Sequence, residues 1–232
     1  MRVYRGRADE DHDRDHEATS AMLAATAETD EPGLRVWRPG PVLAFGRRDR
    51  RADGYERARE TAADRGFPPA GRSVGGRAVA YADSTLAVAY AAPTPDPRSG
   101  IDDRYEWATD RVATALADLG CGIERGEPAD AFCPGDHSLR VTGGGKVAGI
   151  AQRVRRGAAL VAAVVIVDAD DEIAAVLDSV YAALGVPFDP GSVGSVATAG
   201  GPDDPETVAR AIEDAMATDP TVEPAWALLD GV

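Results

Sequence analysis

The apolar and polar positions of this chain follow two periods that alternate along its length. Alternating or unbroken apolar runs predict strands at Val3–Arg5, Leu34–Trp37, Val42–Phe45, Ala78–Tyr81, Thr85–Ala91, His137–Val141, Lys146–Val154 and Ala158–Val167. Pro39-Gly40-Pro41, Thr142-Gly143-Gly144-Gly145 and Arg155-Arg156-Gly157 supply the turns between neighbouring runs. Helical spacing predicts helices at Asp13–Thr29, Tyr55–Asp64, Ile101–Leu119, Asp170–Leu184 and Asp204–Met216. Their ends agree: acidic residues open the first, Gly120 closes the third, and Asp and Pro start the last. Pro93–Gly100 and Val186–Gly201 read as loops. Strands come in pairs at short spacing with helices between the groups. The expected fold is therefore α+β, a mixed and largely antiparallel sheet flanked by helices. No repeat or linker interrupts it. Residues 1–232 are expected to form one domain, with 190–232 a loop plus a short terminal helix and no C-terminal accessory domain.

Composition sharpens this picture. A chain of 232 residues with 44% hydrophobic positions can fill one large core. The formal charge is −14, from 25 basic and 39 acidic residues. Asp outnumbers Glu 26 to 13, and among the basic residues Lys146 is the single lysine. An Asp-rich, Lys-poor chain reads as halophilic, since at about 3 Å the Debye length of molar salt screens its self-repulsion. No basic stripe is present to neutralise phosphates, and aromatics make up only 6%, which argues against a nucleic-acid partner. No apolar run is long enough to span a membrane, Met1-Arg2-Val3-Tyr4-Arg5 is not a secretory signal, and two cysteines make no disulfide framework. The expected setting is cytoplasmic, with no membrane partner.

Two segments carry candidate chemistry. In Gly71-Arg72-Ser73-Val74-Gly75-Gly76-Arg77-Ala78, paired glycines between an arginine and an apolar strand let backbone amides approach a ligand. The same pair also suits an ordinary turn, and the dinucleotide spacing is absent. In the second, Phe132-Cys133-Pro134-Gly135 precedes a hairpin that carries Gly145-Lys146-Val147. Val147 and Arg140 stand where a phosphate-binding loop needs Ser or Thr and Gly, so that reading fails. A lysine kept where every other basic residue is arginine suggests a compact donor facing an oxyanion, against chance survival of a surface lysine. Cys133 sits in a turn, where a nearby cation would favour its thiolate; the plainer alternative is a small buried side chain. Cys121 enters a strand and reads as structural. His12 and His16 are one helical turn apart but belong to a charged run that reads as a solvated face, so no metal site is expected. His137 fits either a base for Cys133 or a plain strand position. An extended path from Cys133 to Val141 would span about 26 Å, so a meeting with Lys146 requires Pro134-Gly135 to fold the chain back or a register that lifts Lys146 up the hairpin.

Taken together, the two segments resemble the lipoate–protein ligase A / octanoyl- and lipoyl-transferase family, whose catalytic domain has the biotin/lipoate ligase fold. The resemblance spans about Val3 to Asp189. It rests on Arg72-Ser73-Val74-Gly75-Gly76-Arg77-Ala78-Val79 and on Gly145-Lys146-Val147-Ala148-Gly149-Ile150-Ala151-Gln152. It implies attachment of octanoate or lipoate to a lysine of a glycine cleavage H protein or a 2-oxoacid dehydrogenase lipoyl domain. Phe132-Cys133-Pro134-Gly135 resembles the nucleophile region of the cysteine-dependent amidotransferases, and Arg77 stands where ligases usually carry a third glycine. On that reading Cys133 forms a thioester with acyl supplied by a donor protein, Lys146 holds the acyl oxygen, and Gly75, Gly76, Ala78, Gly149 and Ala151 shape the acyl site. Arg72 and Asp83 would fix the loop or the acyl head, and transfer needs no cofactor. The alternative is an ATP- and Mg²⁺-dependent ligase, with Cys133 a bystander and an accessory subunit as a further partner. A third reading is a non-catalytic binder of lipoylated domains. Gly71, Val74 and Tyr81 depart from the family's usual Arg, Ser/Thr and His.

Overall fold

The computed structural model describes residues 1–72 and 74–230. The chain runs through β1 (Arg2–Arg5), α1 (His12–Thr29), β2 (Gly33–Trp37), β3 (Val42–Phe45), α2 (Tyr55–Asp64), β4 (Pro69–Gly71), β5 (Val79–Tyr81), β6 (Leu86–Thr94) and α3 (Ile101–Asp118). It continues through β7 (Ile123–Arg125), β8 (Ser138–Val141), β9 (Lys146–Arg155), β10 (Gly157–Val165), α4 (Asp170–Leu184), α5 (Pro205–Met216) and β11 (Thr221–Pro224). Eight strands form the main sheet in the order β11-β1-β2-β6-β10-β9-β8-β7, antiparallel except where β1 pairs with β11 and β2. A smaller sheet has the order β4-β3-β5. The expected α+β class and largely antiparallel pairing are present.

Period-two patterning sorts the side chains between the faces of the large sheet. Leu34, Val36, Val88, Val161 and Ala163 join a core with Val112 and Leu116 of α3 and Ile212 of α5. Ala89, Ala91 and Leu160 face the other way, against Met22 and Leu23 of α1. The small sheet packs Leu43, Phe45 and Val79 against α2 and α4 in a second core. Helix entries follow local chemistry: Asp11 caps α1 by accepting from the amides of Asp13 and Arg14, and Asp204 caps α5 in the same way. Among the described residues no helix is long and apolar enough to cross a membrane.

Two strands lie wholly outside the sequence pattern, and β7 is anticipated only in Cys121 entering a strand. Residues 190–232 hold more than a loop and a terminal helix, because β11 follows α5 and joins the sheet beside β1. β4 begins on a proline and has three residues. Neither has an apolar rhythm; each is a strand because an existing strand offers it hydrogen bonds.

Candidate active site

Cys133 lies on the segment between β7 and β8 with φ +42°. Its amide donates to Tyr181 Oη at 2.7 Å, and that hydroxyl donates onward to the Ala78 carbonyl at 3.0 Å. Tyr181 belongs to α4 and is fully buried, and burial pushes its phenol well above the ordinary value. One neutral side chain thus ties the Cys133 turn to the start of β5.

Lys146 is 1% exposed at the first position of β9. Its ammonium donates to Glu127 Oε1 at 3.0 Å, to the Phe132 carbonyl at 3.2 Å and to the Cys133 carbonyl at 3.0 Å. All three N–H donors are occupied, so in this state Lys146 is a clip on the cysteine turn. Donation to an acyl oxygen requires it to release one partner, and the Phe132 carbonyl is the most distant. These bonds also answer the path length that an extended chain would impose. The segment doubles back over β9, while β8 pairs Arg140 with Lys146 across a register shift.

The glycine loop closes the other side. Arg72 Nη1 donates to Cys133 Sγ at 3.2 Å and to the Arg77 carbonyl at 2.9 Å. Burial opposes the Arg72 charge, but Cys133 and Tyr81 beside it outweigh burial and hold the guanidinium above its ordinary value. Gly76 has φ +107°, and a Cβ there would collide with Cys133 Sγ. A Cβ at Gly149 would stand 3.0 Å from Lys146 Cε. Arg77 pairs with Asp49 Oδ1 at 3.2 Å, and Asp49 Oδ2 also accepts from the Gly46 amide. At Gly71 the Arg50 guanidinium fills the space a side chain would take.

Cys133, Lys146, Gly75, Gly76, Gly149 and Ala151 therefore line one cleft. Arg72 stands between that cleft and an apolar cavity walled by Trp37, Val42, Tyr81, Leu160 and Ala162. Ala78 takes part through its carbonyl. Asp83 does not belong to the site: it is exposed in the turn after β5, in a depression with Arg7 and Arg38. Three residues of β5 carry the chain away from the glycine loop, so nearness in sequence misplaced it. His12 and His16 also differ from the expected solvated face, since both border the apolar cavity, and burial lowers the affinity of His16 for its proton. His137 lines the cleft, but its ring stacks on Tyr105 with centroids 4.0 Å apart, and Nδ1 faces Glu106 at 3.8 Å. Cys121 is buried, and burial pushes its thiol up. Tyr181 and Glu127 were not legible. An ordinary core tyrosine and an exposed-looking glutamate give no signal until the fold brings them to the Cys133 turn.

A crystal structure of lipoate-protein ligase A bound with ATP superposes with TM-score 0.72 at 21% identity, covering 99% of this chain and 92% of that one. A bi-partite lipoate protein ligase from Thermoplasma acidophilum gives TM-score 0.63 at 18% identity, covering 100% and 91%. The sequence model of the lipoyl protein ligase A/B catalytic domain matches residues 15–215, and the chain belongs to that family. An octanoyl-[GcvH]:protein N-octanoyltransferase of Exiguobacterium is 31% identical over 140 residues, 60% of this chain and 49% of that protein. One of Kyrpidia tusciae is 33% identical over 141 residues, 60% and 48% of the two chains. The matched region thus spans about half the length of these curated relatives.

Proposed function

We propose that this chain moves an octanoyl or lipoyl group between carrier proteins through a thioester on Cys133. The observation that carries the reading is the placement of Sγ: it lies in the cleft under the Arg72 guanidinium, on a turn held by Tyr181 and Lys146. The names of the curated relatives support transfer of an octanoyl group between proteins. The thiolate attacks the acyl carbonyl of the donor; the C–S bond forms as the bond to the donor lysine nitrogen breaks, and that amine leaves with a proton drawn from solvent. Lys146 releases the Phe132 carbonyl and turns one N–H to the oxyanion. The lysine amine of an H protein or lipoyl domain then attacks the thioester. A C–N bond forms, the C–S bond breaks, the thiolate is restored and the surplus proton passes to solvent. Overall an amide replaces an amide, so the exchange needs neither ATP nor a metal. The acyl tail runs past Arg72 into the apolar cavity, and one catalytic domain carries the whole site.

Intact-mass spectrometry after mixing with octanoylated H protein tests this. The expected result is a hydroxylamine-sensitive octanoyl adduct on the wild type and on Cys121→Ser, absent from Cys133→Ala. If Cys133→Ala lipoylates its target at the wild-type rate with ATP and free lipoate, the chain is a ligase and the thioester is wrong. Binding of lipoylated domains without turnover in either assay would make it a binder.

The acid-rich composition supports a further reading, adaptation to a salt-rich cytoplasm. Melting temperature is expected to rise from dilute to molar KCl as the Debye length shrinks from roughly 10 Å at 0.1 M to about 3 Å. Equal values would overturn it.

A further inference from the structure

We infer that Arg47, Arg48 and Arg153 form a docking lip for an acidic protein surface, the face of the carrier that surrounds its modified lysine. This rests on the reading of Cys133 as the acyl acceptor. The run Gly46-Arg47-Arg48-Asp49-Arg50-Arg51 puts four arginines into five positions of a chain whose net charge is −14. Its one acid is turned inward. Asp49 is fully buried and is consumed by the Gly46 amide and Arg77, so it neutralises nothing outside. Arg47 and Arg48 are exposed, as is Arg153 of β9, and none of the three makes an ion pair among the described residues.

These arginines adjoin the reaction site. They border a shallow depression whose floor includes Gly75, Gly76, Pro134 and Gln152, all of which also line the Cys133 cleft. The chain at Gly46 lies directly on the Gly76 carbonyl, so the arginine turn is braced by the glycine loop itself. Asp136 is exposed and lines the Cys133 cleft but not the arginine depression. A carrier that delivers its lysine to Cys133 must set its body on this lip. The enzyme's net charge repels an acidic partner from other directions, whereas the lip attracts it and fixes its orientation.

The test uses the triple charge reversal Arg47→Glu, Arg48→Glu, Arg153→Glu. A matched control reverses Arg57, Arg65 and Arg111, exposed arginines that line neither cleft nor lip. Affinity for apo H protein is measured in a Cys133→Ala background, so the result does not depend on chemistry. The lip variant is expected to bind at least about tenfold more weakly than the control at low ionic strength. That gap should close as KCl rises from about 0.05 M to about 0.5 M. In the Cys133-containing protein, acylation by the small thioester S-octanoyl-N-acetylcysteamine should be the same for the lip variant and the wild type. Equal carrier affinity of lip and control variants overturns the inference, as does unchanged binding of a carrier whose acidic residues around the lysine are replaced by Gln or Asn. Failure of the small thioester to label the wild type would instead strike at the Cys133 reading, and the affinity comparison would still decide the docking lip.

Discussion

Arg35 and Lys146 are the two buried cations among the described residues, and their surroundings differ in kind. Arg35 stands on the α1 face of β2. Its guanidinium pairs with Asp15 at 2.7 Å and donates to Thr19 Oγ1 and to the Asp15 carbonyl, while Trp37 Nε1 donates to the same carboxylate. These partners pack α1 on the sheet, and Asp15, Thr19 and Trp37 also border the apolar cavity, but Arg35 itself lines neither that cavity nor the Cys133 cleft. Lys146 is as deeply buried, yet two of its three bonds go to carbonyls of the turn that carries Cys133, and it lines an open cleft. Burial of a charge marks neither site as functional. What separates them is whether the cation restrains a turn beside a cleft or a helix against a sheet.

The largest expected effect comes on the structural side. Arg35→Met leaves Asp15 buried without its counter-ion and should cost about 3–5 kcal/mol, read by urea unfolding. The acylation rate per folded molecule should hold. A rate loss as large as that of a Lys146 variant would break the comparison.

Lys146→Ala is the converse. Loss of the clip and of the donor should lower carrier acylation roughly 10²–10³-fold in a protein that still folds, measured by single-turnover kinetics. Lys146→Arg should also be poor, because a planar fork cannot serve the same three acceptors. Full activity of Lys146→Ala would remove the residue from the mechanism.

Tyr181→Phe sharpens the picture within the cleft. The ring can keep its packing on Phe188, but the Cys133 amide and the Ala78 carbonyl both lose their partner. The expected stability loss is about 1–3 kcal/mol, with slower labelling of Cys133 by a small thioester. Unchanged labelling would mean that the turn holds without this bond.

The smallest effect is on pH. Burial lowers the His16 proton affinity, so between its folded value and the unfolded value near 6.5 the unfolded chain binds more protons. Stability contributed by neutral His16 is present above that window and is lost as the pH falls through it. His16→Gln should flatten this part of a melting-temperature profile; an identical slope would assign it to other groups.

The legible and illegible parts divide along physical lines. Apolar rhythm found the five helices and the longer strands, because one face of each must be buried whatever its partner. β4 and β11 have no such face and depend on a neighbour's hydrogen bonds. The pairing of Arg72, Gly75 and Gly76 with Cys133 and Lys146 was read from the residues and a family resemblance. Asp83 was read into the same site only because it follows closely in sequence.

The sequence by itself determined the alternation of elements, the acidic surface, and the retention of one lysine and one turn-borne cysteine in segments of a known family. Those follow from local periodicity, composition and motif. Only the tertiary structure decided that Cys133 and Lys146 meet. An extended segment would hold them apart, and the fold-back is stabilised by contacts from distant parts of the chain: Tyr181 from α4, Arg72 from the glycine loop and Glu127 from the segment after β7. Such contacts exist only once the two cores have assembled, so no local pattern encodes them.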